Sequence, residues 1–371
     1  MERVVVLGST GSIGTQSIEV LKGRETYKIE GLSAVGTKPR ILKAQIEAIR
    51  PLRVAILNVE LAKEIRLAYP WVDIFYDQMG FREFHTAPSD IVINGIDGFA
   101  GIAPTVASLP HTKKLAIANK ESIVYGWSLI EQERDKILPV DSEHFALYQL
   151  LKQRSEQPLL VLITASGGAV RDLLPRELAQ ATAQQILNHP NWDMGGLVTV
   201  NSSTMVNKAV EVIEARNLFA LSPTQVDAVL HKESLIHAMV HFKDGTTQLN
   251  MFKPDMRIPI AGALGESISE KERSCFENVD FSNLNQLSFG KIEEEKYPLF
   301  SFFLDEVAKT TTAIVELNTI NEIAVRKFLR GEMRFGEIEE FVKKHYQGKK
   351  IKISSVEELK NEIDSVFHRV G

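Results

Sequence analysis

The chain has one cysteine, Cys275, in 371 residues. It can close no intrachain disulfide and build no cysteine metal cluster, which fits a reducing compartment. No apolar run reaches the ~20 residues that a membrane-spanning helix requires, so no membrane partner is expected. No secretory or transit segment is read ahead of residue 3, where the first strand begins, and a cytoplasmic protein is expected. Positive charge is not in excess. The balance of 43 Lys and Arg against 48 Asp and Glu gives a formal net charge of −5, which argues against nucleic acid as the main partner. Internal repeats and low-complexity segments are missing too. What remains is an ordinary globular composition, 44% hydrophobic and 25% charged, in a chain too long for one simple core.

Residues 8–14 read Gly-Ser-Thr-Gly-Ser-Ile-Gly directly after Arg3-Val4-Val5-Val6-Leu7. This predicts a buried strand, a glycine turn and a helix, the phosphate-binding opening of a dinucleotide fold. Gly8 permits the tight turn, Gly11 lets the backbone approach a pyrophosphate, and Gly14 lets the helix pack on the strand. The spacing is GxxGxxG rather than GxGxxG, and a plain tight turn is the alternative reading. A second strand over Tyr27–Val35 runs into Gly36-Thr37-Lys38-Pro39-Arg40. The acid that would bind a ribose 2′-hydroxyl is lacking there. Lys38 or Arg40 can neutralise a 2′-phosphate, so NADP(H) is expected over NAD(H), with a solvated basic turn as the alternative.

The expected fold class is α/β in three parts: an N-terminal doubly wound Rossmann-type domain over 1–128, a central α+β catalytic domain over 129–285, and a C-terminal helical bundle over 286–371. Strands are predicted at Val4–Leu7, Ile29–Ala34, Val54–Leu57, Ile91–Asn94 and Leu115–Ala118 in the first part. In the second they are predicted at Leu159–Thr164, Gly196–Val200, Ala238–Phe242 and Thr247–Met251, the last pair joined by a turn at Asp244-Gly245. Gly167-Gly168 and Gly195-Gly196 bracket a segment read as a mobile loop. Helices are predicted at Ile314–Arg330, Phe335–His345 and Val356–Val370, the last behind a capping box at Ser354–Glu358.

Four segments carry chemistry-bearing residues. In Pro139-Val140-Asp141-Ser142-Glu143-His144 two carboxylates and a hydroxyl meet at a strand-to-helix junction, oxygen ligands of the kind Mg²⁺ or Mn²⁺ takes. Asp141 or Ser142 as an N-cap and Glu143 as a first-turn acid is the plainer alternative. In Asn201–Arg216, Val206, Ala209, Val210 and Ile213 form an apolar stripe, with Thr204, Asn207, Lys208 and Glu211 opposite. Ser202 and Ser203 fall at the expected N-cap, an arrangement suited to a phosphate. Glu211 can add a third carboxylate, or it can pair with Lys208 on a solvated face. Thr164-Ala165-Ser166-Gly167-Gly168 is a strand and turn that can wrap a phosphate. His189-Pro190-Asn191-Trp192-Asp193-Met194-Gly195 suits a lid that excludes water, or a loop anchored by Trp192.

Taken in order, Gly8–Gly14, Ala118-Asn119-Lys120-Glu121-Ser122, Pro139–His144, Ser166-Gly167-Gly168, His189–Gly195, Met205-Val206-Asn207-Lys208, Glu214-Ala215-Arg216 and Pro254-Asp255-Met256-Arg257 resemble the signatures of the 1-deoxy-D-xylulose 5-phosphate reductoisomerase family. They span residues 1 to about 260. The chain departs from the family's usual residues at Gly36-Thr37-Lys38, where Gly-Lys-Asn is commoner, and at Ala169-Val170, in place of Pro-Phe. The resemblance implies an NADPH-dependent homodimeric enzyme of the non-mevalonate isoprenoid pathway. Such an enzyme converts 1-deoxy-D-xylulose 5-phosphate, a small phosphorylated sugar, to 2-C-methyl-D-erythritol 4-phosphate with Mg²⁺ or Mn²⁺. It implies Asp141, Glu143 and Glu211 as metal ligands, and Lys120, Glu143, His189 and Glu211 as the catalytic set. Ser166, Ser202, Asn207 and Lys208 would contact phosphate and substrate, joined by Lys120, Ser142, Glu143, His189 and Glu211. Thr10, Gly11, Ser12, Ile13, Gly36, Thr37, Lys38, Asn119, Glu121 and Gly195 would contact the cofactor.

The residues alone leave two other readings. A thiol-dependent NADP dehydrogenase needs an activated cysteine, and Cys275 between Ser274 and Phe276 has no local base. Dehydrogenases without rearrangement would be separated by their lack of a metal requirement. An NADP-binding regulatory protein has no need of both the carboxylates and a phosphate-type helix.

Overall fold

The computed structural model describes every residue except 155, 188–194, 266–278, 280 and 283. His189, Trp192 and Cys275 lie outside the described residues. The chain divides into two compact units, one of Met1–Asp141 with Asp255–Glu272, the other of Ser142–Pro254 with Arg273–Gly371. No helix among the described residues is long and apolar enough to cross a membrane.

In the first unit, strands β1 (Glu2–Leu7), β2 (Tyr27–Ala34), β3 (Arg53–Ile56), β4 (Asp73–Phe75), β5 (Ser89–Asn94), β6 (Thr112–Ile117) and β7 (Ile137–Pro139) alternate with helices. These are α1 (Ser12–Leu21), α2 (Pro39–Ile49), α3 (Val59–Ala68), α4 (Gln78–Thr86), α5 (Ile102–Ser108), α6 (Lys120–Val124) and α7 (Trp127–Ile130). The strands form one parallel sheet in the order β4-β3-β2-β1-β5-β6-β7. Order reverses between β1 and β5, so the crevice beyond their carboxyl ends is the binding place of a doubly wound sheet. Every residue of β5 is buried, as a parallel strand covered on both faces requires. Leu42 and Ile46 of α2 are fully buried against this sheet, each contributing about 1.5–3 kcal/mol of transfer free energy.

Five of the seven strands lie where the alternation predicts them. β4 escapes because it has three residues, and β7 is legible only as the strand end before Asp141, at Leu138 and Val140. Two alternating apolar residues do not make a period.

The second unit opens with α8 (Ser142–Lys152) and β8 (Leu160–Ala165). It continues through α9 (Pro175–Leu178), α10 (Ala183–Leu187), α11 (Gly196–Ser203) and α12 (Val206–Phe219), then β9 (Val226–Leu230), β10 (Ile236–His241) and β11 (Thr247–Met251). Its sheet runs β11-β10-β8-β9, with β10 antiparallel to both neighbours and β8 parallel to β9. The turn between β10 and β11 is closed by Asp244, whose Oδ1 accepts from Thr246 N at 2.8 Å. α8 covers β10 and β11, and α12 covers β9.

Next comes α13 (Arg257–Ala263), which belongs to the first unit and packs on α1. Arg257 reaches Asp255 at 2.6 Å and Glu19 of α1 at 3.0 Å, and Tyr27 Oη donates to Leu264 O at 3.2 Å. The Pro254–Arg257 motif is therefore, by its contacts, a strap that returns the chain to its first sheet. The tail is helical: α14 (Pro298–Lys309), α15 (Ala313–Leu329), α16 (Glu337–His345) and α17 (Val356–Val370). α15 is its hub, packed by α11, α14, α16 and α17. Ser355 caps α17 by accepting from Glu358 N at 3.1 Å.

One element corrects the sequence reading. Gly196–Val200 is not a strand but the start of α11, with Gly195 at its N-cap and Thr199 Oγ1 donating to Gly195 O at 3.0 Å. The run Leu197–Val200 has strand propensity, but Thr199 and Val200 are buried together with Ser203 one helical turn on, and tertiary burial wins. Consequently Ser202 and Ser203 end α11 instead of capping α12. The cap position of α12 is Met205, in left-handed backbone at φ 63°.

Candidate active site

The glycine turn lies at the end of β1, beside the sheet's switch point. Gly11 is the N-cap of α1 and no side chain caps that helix, so its first amides are left for water or an anion. Ser12 and Ile13 open the helix. Gly14 allows this packing: a Cβ there would lie 2.3 Å from Gly8 O and 2.5 Å from Ser9 Cα, which no side chain can do. Thr10 is buried, and the exposed Lys38 donates to Thr10 O at 3.3 Å, bringing the β2 end over the turn. Gly36, at φ 100°, and Thr37 complete that edge.

At the next strand ends the Asn119 amide donates to Ile96 O and Gly98 O, each at 2.8 Å, and to Glu121 Oε2 at 2.9 Å. Its Oδ1 caps α6 through Ser122 N at 2.9 Å. Asn119 and Glu121 are thus brought together, with Asn119 fixing the loop after β5. In that loop burial pushes the Asp97 carboxyl above its ordinary value, with the Lys38 charge opposing. Lys120, opening α6, pairs with Asp141, which closes this unit just after β7.

The second unit begins one residue later. Ser142 Oγ donates to Glu143 Oε2 at 2.6 Å on the first turn of α8. From α12, the Lys208 ammonium donates to Glu143 Oε1 at 2.7 Å and to Glu211 Oε2. Asn207 Nδ2 donates to Glu211 Oε1 at 2.5 Å. Glu143 and Glu211 so present carboxylate oxygens within 4.8 Å of each other. The Lys208–Glu211 pair that the helical spacing allows is formed, but its face is not solvated: Lys208 is 4% and Glu211 2% exposed. Burial works to lower the Lys208 pKa, yet the charges of Glu143 and Glu211 outweigh it and hold the ammonium above its ordinary value.

Behind this pair lies one that the sequence reading missed. His144 and Glu214 are 0% and 2% exposed, with Nδ1 and Oε2 3.5 Å apart. His144 follows Glu143, and Glu214 stands one turn after Glu211. The available signal is the three-residue offset repeated along α12, Lys208–Glu211–Glu214, which puts three charged residues on one face.

Ser166 stands on the turn after β8. Gly167 and Gly168 have φ of 79° and 74°, and Gly168 N donates to Ser166 Oγ at 3.3 Å. A Cβ on Gly168 would lie 2.5 Å from Ser203 Oγ, so the turn is seated on the end of α11. Arg171 donates to Ser166 O at 3.1 Å, and Lys296 holds the carbonyl of Leu173 at 2.7 Å. Ser202 Oγ donates back to Val198 O of its own helix at 2.9 Å, so this contact keeps it on α11. Asn321 of α15 donates to Asn201 Oδ1 at 2.9 Å, anchoring α11 to the tail.

Comparison with known proteins gives a consistent result. Residues 4–126 match the family described as 1-deoxy-D-xylulose 5-phosphate reductoisomerase. Residues 137–219 match that enzyme's C-terminal domain, and residues 251–368 a further domain described as DXP reductoisomerase C-terminal. A 1-deoxy-D-xylulose 5-phosphate reductoisomerase of Chloroherpeton thalassium is 39% identical over 351 residues, 92% of this chain and 90% of the relative. The solved reductoisomerase of Zymomonas mobilis in complex with NADPH superposes with a TM-score of 0.90 at 28% identity, covering 100% of this chain and 98% of that one. A reductoisomerase solved with NADPH, fosmidomycin and magnesium gives a TM-score of 0.87 at 27% identity, covering 100% and 98%.

Proposed function

The chain belongs to the 1-deoxy-D-xylulose 5-phosphate reductoisomerase family, and we propose that it performs that family's reaction. It converts 1-deoxy-D-xylulose 5-phosphate to 2-C-methyl-D-erythritol 4-phosphate with NADPH and Mg²⁺ or Mn²⁺, supplying isoprenoid precursors. The observation that carries this reading is the pair Glu143–Glu211, one carboxylate half-buried and the other buried, brought from two helices around one buried cation. Such a pair is costly without a cation and offers only hard oxygen donors, so it fits a divalent ion of the Mg²⁺ class.

In this reading Glu143, Glu211 and Asp141 hold the metal, and Lys120 fixes where the Asp141 carboxylate stands. Bound metal supplies Lewis acidity to a substrate oxygen, and bound NADPH supplies hydride. Ser142 orients Glu143 through its hydroxyl. Ser166, Ser202, Asn207 and Lys208 receive the phosphate, whose remote binding energy helps close the site. His189 is assigned to the substrate by its motif alone. Thr10, Gly11, Ser12 and Ile13 receive the cofactor pyrophosphate at the start of α1. Gly36, Thr37 and Lys38 lie toward the adenosine end, while Asn119, Glu121 and Gly195 complete the cofactor contacts. By role, 1–128 serves the cofactor, 129–285 the metal and substrate, and 286–371 supports them. A cytoplasmic homodimer is part of the same reading.

The test is NADPH oxidation on addition of 1-deoxy-D-xylulose 5-phosphate, with Mn²⁺ and then with a chelator. Oxidation that needs both substrate and metal is expected. A protein that binds NADPH but oxidises none of it under these conditions would end this assignment.

A further inference from the structure

Asn207 and Lys208 are expected at the phosphate, yet in the structure both are bonded to a residue expected at the metal. The Asn207 amide donates to Glu211 Oε1 at 2.5 Å, and the Lys208 ammonium bridges Glu211 Oε2 and Glu143 Oε1. Glu143 and Glu211 are two of the carboxylates that would hold a divalent ion in this reading. An ion at the ~2.0–2.1 Å typical of Mg²⁺–oxygen bonds would crowd an ammonium held at hydrogen-bond distance from the same carboxylates. Two cations so close in a buried pocket also repel strongly. Lys208 therefore competes with the metal. Its own burial makes it unfavourable unless another anion receives it.

We propose that Lys208 is the built-in counter-ion of this pocket in the metal-free protein. The divalent ion enters by displacing it, and the released ammonium, with the Asn207 amide, turns to the phosphate. Lys208 stays protonated throughout and simply exchanges one anionic partner for another. The inference rests on the functional reading above and adds a consequence to it: metal and phosphate bind with positive coupling, each tightening the other by the same factor. Residues 207 and 208 are the physical link, being neighbours on the first turn of α12 and both tied to Glu211 until the metal arrives.

The test is Mn²⁺ affinity, read from the EPR signal of free Mn²⁺, on the full chain without substrate or NADPH. Inorganic phosphate is the second probe, with blanks correcting for Mn²⁺ held by phosphate itself. Wild-type protein is expected to bind Mn²⁺ several-fold more tightly at saturating phosphate. Lys208→Met is expected to bind Mn²⁺ about tenfold more tightly than wild type without phosphate, and to lose the phosphate effect. A folded Lys208→Met protein that binds Mn²⁺ no better than wild type would overturn the proposal. Should that variant not fold, the wild-type measurement decides, because Mn²⁺ affinity indifferent to phosphate overturns it equally. Wild-type protein that takes up no Mn²⁺ at all instead brings down the metal reading, and this inference with it.

Discussion

His144 Nε2 lies 2.9 Å from the main-chain oxygen of Glu211, tying the first turn of α8 to the middle of α12. The imidazole is fully buried, and its other nitrogen faces the Glu214 carboxylate. It thereby sets the spacing of the two helices that carry Glu143 and Glu211. Replacing it by alanine opens a cavity and strands the groups it faced. His144→Ala is expected to cost about 2–4 kcal/mol in urea unfolding. It should also weaken Mn²⁺ binding in the protein that remains folded. Unchanged Mn²⁺ affinity would reduce His144 to a core residue with no bearing on the carboxylate spacing.

Gly168 is the second place where the site depends on close approach. Alanine there would meet Ser203 Oγ at 2.5 Å and Ser203 Cα at 2.7 Å, in backbone at φ 74°. Either the turn or α11 must move, and Ser166 moves with the turn. Left-handed strain of about 1–3 kcal/mol corresponds to a loss of roughly 5–150-fold. Gly168→Ala is expected to raise KM for the phosphorylated sugar by that order while NADPH affinity stays within about twofold. Steady-state kinetics and NADPH fluorescence titration separate the two, and an equal loss in both would point to general misfolding.

Much of this is legible in the sequence. The parallel sheet announced itself through runs such as Ile91–Asn94, because strands buried on both faces must be continuously apolar. The carboxylates of Asp141 and Glu143 were visible from their place between a strand end and a helix. α11 was not legible, because Leu197–Val200 reads as a strand until burial by the surrounding helices is known. Nor was the environment of Glu211. On sequence alone the Lys208–Glu211 offset describes a solvated ion pair as well as a buried one, and only packing distinguishes them. The Pro254–Arg257 segment shows the same limit. Its residues mark a motif, but nothing local says that Arg257 reaches back to Glu19.

Gly14 tests the cofactor end independently of the metal. Its ideal Cβ would overlap main-chain atoms of the glycine turn, and main chain cannot swing aside as a long side chain can. Gly14→Ala should push α1 off the turn and lose at least about tenfold in NADPH affinity. Glu143, Glu211 and Lys208 lie in the other compact unit, and Asp141, though in the same unit as Gly14, follows β7, which β5 and β6 separate from β1, so Mn²⁺ affinity should change little. Loss of both affinities would mean that the substitution damages folding as a whole.

A pH dependence follows from His85 on α4. Burial, with the Arg53 guanidinium adding to it, pushes the imidazole down to about 4. Its Nδ1 has no hydrogen-bond partner, and the ring stacks on Phe81 with centroids 6.2 Å apart and meets Phe84 edge-on. In the unfolded chain the same imidazole takes its proton near 6.5. Between these values the unfolded state binds a proton that the folded state refuses, so stability falls as pH falls through this window and levels off below it. The slope is at most about 1.4 kcal/mol per pH unit from this residue. His85→Phe keeps an aromatic face toward Phe81 and carries no proton. Urea midpoints from pH 7 to pH 4 should fall less steeply for His85→Phe than for wild type, so the difference between them shifts in favour of the variant as pH drops. Parallel curves would mean that His85 titrates alike in both states and that its burial does not exclude the charged form.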